Sequence, residues 1–289
     1  NLEQAGQQLA ELMKLASISL VAHKANGCIM LLNGQQDGSS KYWQKQIQQY
    51  RFSAFDQADY YFALTRIQLE QAQRAPRQEF SARLKKAGDT LALMPQKLVN
   101  EGTEAELTVL RAMLSLLQGN IAEAQQQLEQ VLTDYNPADP ESIVDIARLA
   151  FALGDMKQAD ACLAKLKDFK PAKADLTGEC QRLTAQYLLQ QEQQLRGQIR
   201  QWNQAGMEQA QAGNNGQALT LLRQAFVFMP CNAGLVLNLL QTLTQLPADK
   251  ALKPLAKSAM TALEFSTKSV ANQQRLAQLL PQLPELYLD

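Results

Sequence analysis

Apolar residues along this chain recur at steps of three and four, and nowhere alternate for more than a few positions. That period belongs to helices with one buried face, and it predicts an all-α fold. Leu2–Lys24 reads as an amphipathic helix, Cys28–Leu32 as a short apolar piece, and Gln35–Ser40 as the clearest loop. Three further helices follow over Tyr42–Tyr50, Phe52–Gln73 and Pro76–Leu93, the last stopped by Pro95. Trp43, Phe52, Phe55, Tyr60, Tyr61 and Phe62 concentrate here and read as core. Residues 1–102 therefore form an N-terminal helical module, either degenerate repeats or a separate bundle.

Beyond Thr103 the pattern becomes periodic. Gly119 and Gly154 are 35 residues apart, as are Ala124 and Ala159, so one helix–turn–helix unit recurs. Ala112, Gly119, Ala124, Leu128 and Val131 mark the first unit, with Pro137 behind them. Ile143, Ala147, Gly154, Ala159, Leu163, Leu166 and Pro171 mark the second. Thr103-Glu104-Ala105-Glu106 reads as a capping box, and Asp139-Pro140 as an N-cap followed by proline at the first helical position. The third unit is Trp202, Gly206, Ala218, Leu222, Ala225 and Pro230, turning at Gly213. A weaker fourth has Val236, Leu239, Leu240 and Leu243 on one helix. Asp249 opens its second helix, with Leu252, Leu255, Ala256 and Ala259. Residues 266–289 supply a capping helix, about Thr267–Leu280, and a tail that docks back.

From Gly154 to Gly213 is 59 residues, so about 24 are inserted before the third unit, near 175–201. Leu176, Cys180, Leu183 and Tyr187 form one stripe at helical spacing; Leu195, Ile199, Trp202 and Gly206 form another. Gln190–Gln194 between them is polar all round. One very long helix, or two end to end, projects from the repeats. Leu195 and Ile199 on it either meet a second chain as a homodimer contact or pack within the monomer.

The spacing Trp202, Gly206, Ala218, Leu222, Ala225, Pro230 resembles the tetratricopeptide repeat, W-x2-L-G-x2-Y followed by A-x3-F and P. The resemblance covers about residues 103–265 and implies a helix–turn–helix repeat superhelix, an α-solenoid that binds other proteins. In that family the first helix of each unit lines the concave face. Carrying the phase over assigns partner contacts to Asp145 and Arg148, to Arg200, Asn203 and Gln204, and to Asn238 and Gln241. No lysine stands among them, so the basic clamp of members that grip a C-terminal carboxylate is not reproduced. A narrower resemblance is to the C-terminal region of bacterial response regulators that join a receiver domain to such repeats. It implies an output or dimerisation region in a signalling protein. A peptide-binding chaperone or assembly factor and a ligand-sensing helical domain are the alternatives.

Composition removes other classes. Lys plus Arg and Asp plus Glu are 28 each, without the excess cation of a nucleic-acid binder. Forty glutamines give polar surface without charge. The basic cluster Arg74, Arg77, Arg83, Lys85, Lys86 reads as a solvated face. Four cysteines, far apart and among apolar neighbours, fit reduced thiols in a cytoplasmic protein. No apolar run is long enough to span a membrane. The chain begins at Asn1 without an initiator Met, as expected for a piece of something longer. His23, the only histidine, reads as an ordinary surface or boundary residue. Gly213-Asn214-Asn215-Gly216 lacks the Lys-Ser/Thr of a phosphate loop. The expectation is no catalytic, cofactor or metal residues, and no enzyme.

Overall fold

The computed structural model describes residues 36–49, 54–135, 137, 139–171, 176–266 and 269–287, with His23, Asn26 and Met30 alone ahead of them. Among these residues there are twelve α-helices and no strand. They are α1 (Gln36–Gln49), α2 (Ala54–Gln73), α3 (Arg77–Ala92), α4 (Glu101–Leu117), α5 (Ile121–Asp134), α6 (Pro140–Ala152), α7 (Met156–Lys167), α8 (Leu176–Gln211), α9 (Asn215–Phe228), α10 (Ala233–Thr244), α11 (Lys253–Phe265) and α12 (Val270–Leu279). The expected Leu2–Lys24 helix and Cys28–Leu32 segment lie almost wholly outside the described residues.

Successive helices pair: α2 with α3, α4 with α5, α6 with α7, α8 with α9, and α10 with α11. The first helices of these pairs form a row, α2 against α4, α4 against α6, α6 against α8, α8 against α10, and α10 against α12. This is a tetratricopeptide-like all-α solenoid. Each repeat pair closes on small residues twelve positions apart: Ala112 with Ala124, Ala147 with Ala159, Gly206 with Ala218. The five alanines are all 0% exposed. A Cβ on Gly206 would stand 2.7 Å from Leu222 Cγ, so the two backbones meet more closely than any other residue permits. The turns of these pairs hold Gly119, Gly154 and Gly213 at φ of +90°, +84° and +81°, where an L side chain is strained.

Caps explain where helices begin. Asp139 accepts from Ser142 N at 2.8 Å with Pro140 behind it, as its sequence predicts. Asp155, Asn232 and Ser269 do the same for α7, α10 and α12. The capping box of α4 is shifted by three residues. Asn100 Oδ1 accepts from Thr103 N and Thr103 Oγ1 accepts from Asn100 N, leaving Glu106 free for another task. Asp249 caps a short 3-10 turn over 250–252, and α11 starts only after it, with Pro254 near its N-terminus. The backbone over 36–40 is helical, not a loop. Asp, Gly and Ser there occupy a first turn, where N–H groups lack intrahelical partners and short polar residues are tolerated.

The long helix is one uninterrupted α8 of 36 residues, about 54 Å at 1.5 Å per residue. It lies along its own chain, its earlier part against α6 and α7 and its later part against α9. Its inward stripe is Ala185, Leu188, Glu192, Leu195, Ile199, Trp202 and Gly206, alternating steps of three and four. Ile199 is 4% exposed in the main core and Leu195 packs against that core. The expected dimer seam is therefore internal packing. Trp202 stacks on Phe228, ring centroids 6.0 Å apart. The tail docks back, with Tyr287 buried and its hydroxyl accepting from Asp249 N at 3.1 Å.

One contiguous core runs from Ala58 to Tyr287. A smaller one joins α1 to α2 through Trp43, Tyr60, Leu64 and Ile67. His23 sits beside it, 2% exposed, its Nδ1 hydrogen-bonded to the Tyr42 hydroxyl. It is an aromatic-cluster residue, not a surface one.

Candidate interaction surface

The seven side chains expected to line a concave partner site fall into two groups. Five of them are bonded across the row of first helices. Asp145 on α6 is 1% exposed and accepts from Arg66 Nε of α2 at 2.5 Å. The same guanidinium bonds Glu106 of α4, so one residue ties three successive units. Arg148 on α6 bonds Glu192 of α8, which is buried in the inward stripe. Asn238 of α10 donates to Asn203 of α8 at 2.9 Å. Arg275 of α12 donates to Gln241 of α10. Polar braces thus run the length of the row, with α4 and α6 linked through the shared Arg66 guanidinium of α2. The remaining two, Arg200 and Gln204, are exposed on α8, with Gln204 donating to Glu208 at 3.0 Å.

Electrostatics at the Arg66 junction are unbalanced. Burial pushes the Glu106 carboxyl up to about 7; Arg66 opposes this, while Asp139, Asp59 and Asp145 reinforce it. Burial alone would lower Arg66, but Asp145 and then Glu106 outweigh it and hold the guanidinium well above its ordinary value. Arg148 is raised likewise, its burial outweighed chiefly by Glu192. These are structural charges, each carried between helices.

The brace partners Arg66, Glu106, Glu192 and Arg275 were not foreseen from sequence. Only Glu192 carried a local signal, as the one charge on an otherwise apolar stripe. Within the basic cluster, Arg74 pairs with Glu70 at the end of α2, and Arg83 pairs with Glu79 and Lys85 with Asp89 along α3.

On the side of the second helices lies a cleft of about 790 Å³ between α3, the α4–α5 turn, α9 and α11. Phe80, Leu84, Leu116, Phe226, Val227 and Leu255 floor it. Burial raises the thiol of Cys162 and takes that of Cys231 to about 12, so both are inert hydrophobes. Among the described residues no group of three or more His, Cys, Asp and Glu side chains is placed to hold a metal ion. No described helix is long and apolar enough to cross a membrane.

A family of tetratricopeptide repeats matches residues 115–187, from within α4 to the first third of α8. That match covers the second helix of the first unit and the whole of the second, and the unit at Trp202–Pro230 stands beyond it with the same close helix contact. Match and paired-helix packing together support a tetratricopeptide-repeat protein. No curated protein matches the chain. Such repeats are typically non-catalytic and mediate protein–protein interaction.

Proposed function

We propose that this chain is a non-enzymatic scaffold that binds another protein or peptide, as the output region of a bacterial response regulator. The scaffold reading is carried by the braced row of helix pairs. The units are pinned to one another by internal bonds, so a partner meets a preorganised surface and loses little affinity to ordering it. Arg200 and Gln204, outside the braces, are the contacts we assign to that partner. The regulator reading is supported by the neutral, glutamine-rich helices of the repeats. Its test is the reading frame ahead of Asn1, which should encode a receiver with a phosphorylatable aspartate; a secretion signal there would overturn it. For the scaffold itself, Arg200→Glu with Gln204→Glu should weaken partner binding with no change in melting temperature. Binding unaffected by that pair would remove α8 from the contact.

A peptide-binding chaperone or assembly factor is the second reading, favoured by the apolar cleft between α3, α9 and α11. It requires saturable binding of an extended apolar peptide that is lost in Val227→Glu.

A further inference from the structure

The middle and end of α8 carry two glycines in different situations. Gly206 is required by Leu222, whereas a Cβ on Gly197 would meet nothing within 4 Å. A glycine in a helix interior costs about 1 kcal/mol relative to alanine, and no contact among the described residues explains that cost at Gly197. The surrounding face is also distinctive. Between Leu183 and Gln204 every exposed side chain except Arg200 is uncharged, and apart from Leu183 all of these are glutamine. Nineteen per cent of the chain is charged, so an outward face this neutral is not the ordinary solvated one.

The face has a mirror order about Gly197. Gln193 and Gln201 lie four residues to either side, Gln190 and Gln204 seven, and Gln194 mirrors Arg200 at three. In an antiparallel crossing with a second Gly197 opposite, each residue meets its mirror position on the other helix. Glutamine amides present both donor and acceptor, so identical amide faces satisfy one another. Arg200 then meets the Gln194 carbonyl oxygen, and no like charges face each other. The absence of a side chain at the axis lets the two helices approach. A partner of strong net charge would find no complement here, whereas a second copy does.

We propose that the outer face of α8 is a self-association surface, on which two copies of this chain cross antiparallel about a twofold axis at Gly197. This face is opposite Leu195 and Ile199, and the dimer does not depend on a further protein partner. Gln190 to Gln204 spans only about 21 Å of helix. That contact falls short of the roughly 800 Å² per partner of a standard stable interface, so the dimer is weak and concentration-dependent.

Arg200 and Gln204 also belong to the surface assigned above, so the test uses the purified chain alone. In sedimentation equilibrium from low to high micromolar concentration, the mass should rise from one chain toward two. Gln193→Glu with Gln201→Glu brings two carboxylates from each copy to the axis and should hold the mass at one chain. Gln193→Glu with Gln201→Lys sets each Glu against a Lys of the other copy and should restore or tighten the dimer. Both positions are exposed, and an unchanged melting temperature confirms the fold. A wild-type mass of one chain throughout would overturn the proposal. So would a dimer indifferent to both double variants, which would locate self-association elsewhere.

Discussion

Arg148 shows what a brace residue does energetically. Truncating it to Met leaves the Glu192 carboxylate, 1% exposed, without its counter-charge. Stranding a buried charge costs about 3–5 kcal/mol, and adding Glu192→Leu should return most of that, since a packed apolar pair often matches a buried ion pair. Urea unfolding of the single and double variants measures both. Glu106 predicts a pH dependence. Its folded value, about 7, is above that of an exposed glutamate, so the folded chain holds more protons between the two. Its stabilising contribution is full below the ordinary glutamate range and is lost as pH rises through about 7. Melting temperatures of wild type and Glu106→Gln should therefore diverge across that window, with wild type falling more steeply as pH rises. Helical phase assigns Asp145, Arg148, Asn203, Asn238 and Gln241 to the concave face as partner contacts. It did not reveal that they are occupied there, because their partners lie 34 to 79 residues away in sequence.

At the level of helices, turns and caps were legible wherever the chemistry is local. Glycine turns and the Asp139-Pro140 start follow from neighbouring residues, whereas the polar Gln190–Gln194 stretch leaves one helix or two end to end open for α8. The α4 cap was misplaced because Thr103 can serve either as N-cap or, as it does, as the reciprocal partner of Asn100. Gly197 and Gly206 of α8 give opposite predictions. Gly206→Ala drives a Cβ into Leu222 and should cost about 1–3 kcal/mol as an overpacking change. Gly197→Ala, measured on dilute protein, should stabilise by about 0.5–1 kcal/mol through helix propensity alone. Chemical denaturation of the pair checks both signs.

Taken whole, the row of units is interrupted by α8, whose earlier part packs as a neighbour of α6 and α7 while its later part is the first helix of the third pair. A second tie crosses the same gap. Cys231 N, in the loop after α9, donates to the carbonyl of Ala152 at the end of α6 at 3.2 Å, and Arg196 of α8 bonds Asp160 of α7 at 2.6 Å while lying over the Phe151 ring. The period alone foretold the units but not these ties, one through loop backbone and one between helix side chains, which join residues far apart in sequence. They carry a consequence for how the molecule comes apart. A regular stack behaves like a one-dimensional chain of domino-like spins, in which end units fray and melt independently. Here a single rod is common property of two units, so neither can melt without dissolving half of it. Between Pro140 and Phe228 the array should lose structure as one cooperative block. In hydrogen exchange, the amides of α6 and α9 would share one opening free energy, whereas those of α12 would open earlier.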